Sequence, residues 1–258
     1  MTGEIRLTQR IRASRAELWR ACSTTEGLER WYADRITGAL SPGGRLVLEW
    51  PALGAAVELE VAEVNAGERV VFRNGQSRVT LTPGDGELGL AHQGLAATDD
   101  LSGFESSWRI ALSLLAQSVE VHPAERRTAR WFIRRTRTKP ELAHLYFTER
   151  EALAAWLGSG GPLGPEGSRY ALDLDGRPMS GKVLVRAAGR DVALSWHEDG
   201  DSVVVFRTLP SPASERERLV GAWWSRWGES GEERPPAAET LERAVERLSA
   251  VLERSGAA

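Results

Sequence analysis

The sequence is poor in the residues that usually betray cross-linking or metal chemistry. A single cysteine, Cys22, stands among 258 residues, which excludes an internal disulfide and any cysteine-based zinc site. Four histidines occur, His92, His122, His144 and His197, and no two lie at i, i+4, so there is no helical metal pair. No run approaches the ~20 apolar residues of a membrane helix. Met1 to Ile11 alternates arginine with apolar residues and has no signal-peptide core. An excess of charge is missing too. The 33 basic residues face 36 acidic ones, for a net charge of −3, which argues against a general nucleic-acid binder. What is present is ordinary for a globular protein: 41% hydrophobic residues plus 26 glycines, and 27% charged residues. The expectation is a soluble, cytoplasmic chain of one large or two small domains.

The pattern repeats. Ser14-Arg15-Ala16-Glu17 has the form of a capping box, and so does Thr138-Lys139-Pro140-Glu141, 124 positions later. A strand-like segment precedes each, Glu4 to Arg12 and Ala129 to Arg137. A second short helix follows each and ends in Trp31 or Trp156, 125 positions apart. After a loop rich in glycine and proline, alternating strands follow. Leu46, Leu48 and Trp50 share one face, and Val57, Leu59 and Val61 another such row. The second half offers Tyr170/Leu172/Leu174, Val183/Val185, Val192/Leu194/Trp196 and Val203/Val205. Each half closes with an amphipathic helix. One stripe is Phe104, Trp108, Ala111, Leu112, Leu115 and Val119; the other is Leu241, Ala244, Val245, Leu248, Val251 and Leu252. A curved sheet with one apolar face needs such a helix as its lid. The class is therefore α+β, in two tandem domains of about residues 1–122 and 126–258, joined at Pro123.

The residues Ile11-Arg12-Ala13-Ser14-Arg15-Ala16-Glu17-Leu18-Trp19, Leu28-Glu29-Arg30-Trp31, Leu40-Ser41-Pro42-Gly43-Gly44-Arg45 and Glu68-Arg69-Val70-Val71-Phe72 stand in a familiar order. With Leu88 to Gly94 and the Gly103/Trp108/Leu112/Leu115 helix, they cover most of residues 4–120. The first half resembles the START-like (SRPBCC, polyketide cyclase/lipid-transport) superfamily. More narrowly it resembles the domain family named after the activator of the heat-shock protein 90 ATPase. The second half resembles it more distantly: it keeps Trp156 and Gly189-Arg190-Asp191-Val192 but lacks the Pro-Gly-Gly motif before the second strand. The resemblance implies a helix-grip fold, a curved antiparallel sheet wrapped around a long helix with a cavity between them. Members bind lipids, polyketides or other apolar molecules, a minority are cyclases or hydrolases, and many bacterial members have no assigned activity. The activator's separate N-terminal domain has no counterpart here, which weighs against a chaperone role.

Within that fold, Trp31, Trp50 and Trp108 fall on the short helix, the second strand and the long helix around the cavity, with Leu112 on the same helical stripe. His92, in phase with Leu88 and Leu90, points inward. Trp156, Trp196 and Trp223 are the approximate partners in the second half. Arg135, aligned by the 124-residue offset with Ile11, takes an inward position where it would need an internal acid or an anionic head group. These nine residues are the candidate ligand contacts. No catalytic set and no metal or cofactor site emerges. Gly84-Asp85-Gly86-Glu87-Leu88-Gly89 matches GxGxxG but runs into a strand, not a helix, so it is a hairpin turn. Asp173-Leu174-Asp175-Gly176 lacks the later Glu of a calcium loop and is also a turn. The basic run Arg126 to Lys139 is a solvated strand edge.

Three functions remain open. The first is binding of a small apolar or amphipathic ligand. The second is a protein partner taken up by the second domain, because adjacent Trp223 and Trp224 cannot both point inward from a strand and one would form an exposed patch. The third is an enzyme using His92 as acid–base.

Overall fold

Period-two rows of apolar residues dictate strands that bury one face, and the chain builds two sheets of them. The computed structural model describes residues 3–211, 213–228 and 235–256. The chain divides into two compact units, Met1–Arg127 and Thr128–Ala258.

The first unit runs β1 (Gly3–Arg10), α1 (Arg15–Ser23), α2 (Thr25–Glu29), β2 (Arg35–Gly38), β3 (Arg45–Trp50), β4 (Ala55–Asn65), β5 (Arg69–Asn74), β6 (Ser77–Pro83), β7 (Glu87–Leu95) and α3 (Leu101–Glu120). The second begins with β8 (Arg127–Thr136), α4 (Pro140–Thr148), α5 (Arg150–Ala154), β9 (Ser159–Gly160) and β10 (Arg169–Leu174). It continues with β11 (Arg177–Arg186), β12 (Val192–Trp196), β13 (Ser202–Ser211), β14 (Ser214–Trp227) and α6 (Pro236–Gly256). Each unit forms a seven-stranded sheet, ordered β1-β7-β6-β5-β4-β3-β2 and β8-β14-β13-β12-β11-β10-β9. Each is an antiparallel meander followed by a long helix, the helix-grip arrangement.

The halves share local detail. Trp31 Nε1 donates to the Ala21 carbonyl and Trp156 Nε1 to the Tyr146 carbonyl, pinning the second short helix to the first in both. A bulge lies at Val61/Glu63 on β4 and at Val183/Val185 on β11. The loop before the second long strand is held identically. Gly43 N–H donates to Val61 O and Val61 N–H to Gly44 O, while Gly167 N–H donates to Val183 O and Val183 N–H to Ser168 O. The missing Pro-Gly-Gly is thus replaced by Gly167-Ser168 without loss of the turn.

Two expectations need correction. The Ser14 capping box forms, with Glu17 N–H on the Ser14 hydroxyl and Ser14 N–H on the Glu17 carboxylate. Its expected twin does not. The second helix starts one residue later, with Lys139 as N-cap, Pro140 first in the helix and no side-chain cap bond. Proline favours that first position and drives the residue before it out of helical geometry; Lys139 is extended at φ −84°, ψ 146°. The register between the halves is therefore 125 in this region. Thr136, not Arg135, stands opposite Ile11, and it is buried whereas Arg135 is exposed.

The second correction concerns β13. Val204 and Phe206, not Val203 and Val205, belong to the core cluster beneath α6. Residues Ser202–Thr208 are buried on both faces, so alternation had nothing to alternate against. Pairing of Val205 with Trp223 and Val204 with Trp224 carries the same face through β14.

The Gly84–Gly86 stretch is the β6–β7 hairpin, and Asp175 and Gly176, both at positive φ, turn β10 into β11. No helix among the described residues is long and apolar enough to cross a membrane. Of the proline- and glutamate-rich stretch Pro210 to Glu217, Pro212 lies outside the described residues.

Candidate functional site

The first unit's inward rows are Leu46/Leu48/Trp50 on β3, Val57/Leu59 on β4, Val79/Leu81 on β6 and Leu88/Leu90/His92 on β7, by direct pairing of Leu48 with Val57 and Val79 with His92. Most are buried. At the β3–β4 end the rows open: Trp50 is half-buried and Val57 is 36% exposed. On α3, Trp108 and Leu112 are buried while Phe104, one turn before Trp108, is 39% exposed.

These residues form a connected string of rings. Tyr32, just past α2, is stacked between Trp31 (5.4 Å between centroids) and Trp108 (5.0 Å). Trp50 meets Tyr32 edge-on at 6.2 Å. Beyond Trp108 the string continues through His92 at 5.8 Å to Phe104, 5.3 Å from the imidazole. Such offset and edge contacts are the favoured aromatic geometries. Burial raises the Tyr32 phenol above its ordinary pKa, so it stays protonated.

His92 has both ring nitrogens engaged. Trp108 Nε1 lies 3.0 Å from Nδ1 and Ser77 Oγ lies 2.7 Å from Nε2. An indole N–H only donates, so Nδ1 is the acceptor and Nε2 carries the proton, donating to Ser77. This tautomer is the wrong one for drawing a proton from Ser77, and no Ser–His nucleophile results. Burial lowers the imidazole pKa, partly opposed by the nearby Asp99 carboxylate. His92 is thus a neutral, satisfied ring that clamps Trp108, the last strand and the start of β6 together.

The second unit has the same positions filled differently. The place of His92, opposite the third residue of the penultimate strand, is taken by Trp224, opposite Val204. Its Nε1 reaches Ser202 Oγ (3.1 Å) and Asp199 Oδ2 (2.9 Å). Trp50, Val57 and Tyr32 correspond to Leu174, Met179 and Leu157, all fully buried. Trp156 and Trp196 are buried in that same core, Trp196 donating to the Pro178 carbonyl.

Trp223 was expected beside them. It lies on the opposite face of β14, stacked on Trp131 at 4.8 Å and 7°, and it is absent from the core cluster. Trp223, Trp224 and Trp227 are all buried, so the expected exposed tryptophan patch does not exist. Both faces of this strand are covered, and alternation does not expose one of two neighbours when that holds.

Three further titratable residues are held by burial or pairing. Arg127 is buried, bonded to the Ala33 carbonyl and beside Asp34, and burial lowers its pKa to about 10. Arg134 pairs with Glu246 at 2.8 Å. Burial pushes the Cys22 thiol up to about 12. No group of three or more metal-ligating side chains occurs among the described residues.

The string of rings therefore contains four of the nine candidate residues, Trp31, Trp50, His92 and Trp108, and Leu112 lies buried one turn past Trp108 on α3. The sequence reasoning missed Tyr32, Phe104 and Val57 as site residues. Phe104 and Val57 lay in rows already recognised, but nothing in a row says where its cover ends. Tyr32 lies outside any periodic element.

Residues 12–120 match the family described as activator of Hsp90 ATPase homologue 1-like proteins. No curated protein matches the chain. Among solved structures, the chain is similar to the Aha1 dimer from Colwellia psychrerythraea, at 15% identity over 46% of this chain and 98% of that one, with a TM-score of 0.40. It is similar to CalU16 from Micromonospora echinospora at 27% identity over 44% and 64%, with a TM-score of 0.37. DynU16, from the dynemicin biosynthetic locus, is similar at 16% identity over 98% and 97%, with a TM-score of 0.42.

Proposed function

We propose that the first domain, a START-like domain matching the activator-homologue family over residues 12–120, holds a small apolar or amphipathic ligand between its sheet and α3 without transforming it. The domains are taken as about 1–122 and 126–258, and the setting as the cytoplasm. The observation that carries the proposal is the uncovered end of the β3–β4 rows: Trp50 and Val57 face inward by register yet stay accessible, while the equivalent positions of the second unit, Leu174 and Met179, are fully buried. Large flat side chains left uncovered at the end of a core offer apolar area to a guest.

The binder reading outranks the enzyme because His92 is doubly bonded and neutral. The partner reading has lost its exposed tryptophans. Among the nine candidates, Trp50 is the residue we assign to direct ligand contact, with Trp31, His92, Trp108 and Leu112 as its support. Tryptophan fluorescence tests this directly. Titration with fatty acids, aromatic polyketides and flavonoids should shift or quench emission for at least one class, and Val57→Trp, which fills the opening, should abolish that response. A flat response across all classes overturns the proposal.

A further inference from the structure

The polar groups at this opening restrict what it accepts. Trp31, Trp108, Trp156, Trp196 and Trp224 each direct the indole N–H to a protein acceptor. Trp50 Nε1 has no such partner among the described residues, and neither has the hydroxyl of Tyr32, whose ring meets Trp50 edge-on at 6.2 Å between centres. Both faces of the Tyr32 ring are taken by Trp31 and Trp108, so only its edge and hydroxyl remain to meet a guest. The inward rows of β3, β4, β6 and β7 around them carry no charged residue; Glu58 and Arg45 pair with each other at 3.0 Å on the outer face.

From this we infer that, given the ligand-binding reading above, the first domain selects uncharged planar molecules that present a carbonyl-type acceptor oxygen, and discriminates against ionised amphiphiles such as fatty acids. Flat rings suit the uncovered indole of Trp50. An indole N–H can only donate and a protonated phenol donates readily, so both ask for an acceptor. Covering them with a guest that has none leaves two donors unpaired, which is costly in a water-excluded site. A carboxylate head group drawn inward finds no cation on these strand rows to offset its desolvation.

The test is equilibrium dialysis of the intact chain against four probes: 9-fluorenone, its hydrocarbon fluorene, fluorene-9-carboxylate and decanoate. Fluorenone is expected to bind about tenfold more tightly than fluorene and more tightly still than either anion. Tyr32→Phe, which keeps the ring and removes only the hydroxyl, and Trp50→Phe, which removes the indole N–H with part of the stacking area, should each shrink the preference for fluorenone over fluorene about three- to tenfold. Fluorenone no tighter than fluorene, or an anion binding best, overturns this inference while the pocket reading stands. Absence of binding by all four probes overturns both. If either variant fails to fold by its urea transition, the wild-type comparison of fluorenone with fluorene still decides.

Discussion

Two domains of one chain solve the same packing problem with opposite results. In the first, the inward rows end in Trp50, Val57 and, beside them, Tyr32, and all three retain access to solvent. In the second the same places hold Leu174, Met179 and Leu157, which have none. The frames around them agree down to the tryptophan that pins the short helices and the bulge in the long strand. Flexible aliphatic side chains pack to high density without leaving an edge uncovered, and methionine fills irregular gaps. Rigid rings of the size of indole and phenol stack among themselves and leave an edge open. The exchange of His92 for Trp224 follows the same logic. A ring with two polar atoms links Ser77 to Trp108 in one domain, and a single donor reaches Ser202 and Asp199 in the other. The fold is thus tolerant of both uncovered and fully covered row ends, and a few side chains choose between them.

The strongest way to break this contrast is to cut into both ends. Trp156→Ala removes a fully buried ring from the filled domain and should cost about 3–5 kcal/mol. Trp50→Ala, at the open end, should cost within about 1 kcal/mol. Urea unfolding of the intact chain reads both, and equal losses would show that the first domain is as filled as the second.

A comparable contrast lies at the entry to the central strand of each sheet. Asp191 is buried, 3.5 Å from Arg207 and accepting the Thr208 N–H, so Asp191→Ala should cost on the order of 3 kcal/mol. Its counterpart Arg69 pairs with Glu63 in a half-exposed bridge, and Arg69→Ala should cost no more than about 1 kcal/mol. The same denaturation experiment decides.

Acid should weaken both domains by one mechanism. Burial holds His92 and His144 below the ordinary histidine pKa. Between that folded value and the ordinary one near 6.5, the unfolded chain binds protons that the folded chain does not. Stability is therefore whole above about pH 6.5 and is lost as pH falls through that value toward the folded pKa. His197, raised by Asp201 at 2.6 Å, has the opposite sign, but it is fully exposed. Urea midpoints taken at about pH 7.5 and 5.5 should fall for the wild type and fall less for His92→Gln or His144→Gln. An unchanged difference in either variant would remove that histidine from the account.

The smallest effect is expected at Arg135. Exposed instead of inward, it should tolerate Arg135→Ala within about 0.5 kcal/mol in thermal melts, and ligand binding by the first domain should not change. A large loss would restore the inward placement.

The element types, their order and the inward rows of the first domain were legible in the amino-acid order alone. Periods of two and of 3.6, together with Asp-Gly turns and the Ser14 cap, are local properties of the chain that express themselves wherever one face is wet. The family pattern over residues 12–120 was legible for the same reason. The faces of β13 and β14 were not. A strand covered on both sides has no polar row to mark its phase, so only packing assigns Trp224 inward and Trp223 to Trp131. Nor was the one-residue shift at Pro140, because a cap is decided by backbone geometry at the helix start and not by spacing. The candidate site divided along the same line. His92 and the tryptophans could be named from their rows. The tautomer forced by Trp108, the stacking of Tyr32 and the uncovered ends at Trp50, Val57 and Phe104 depend on which distant residues arrive beside them, and that is settled only when the sheet closes on its helix.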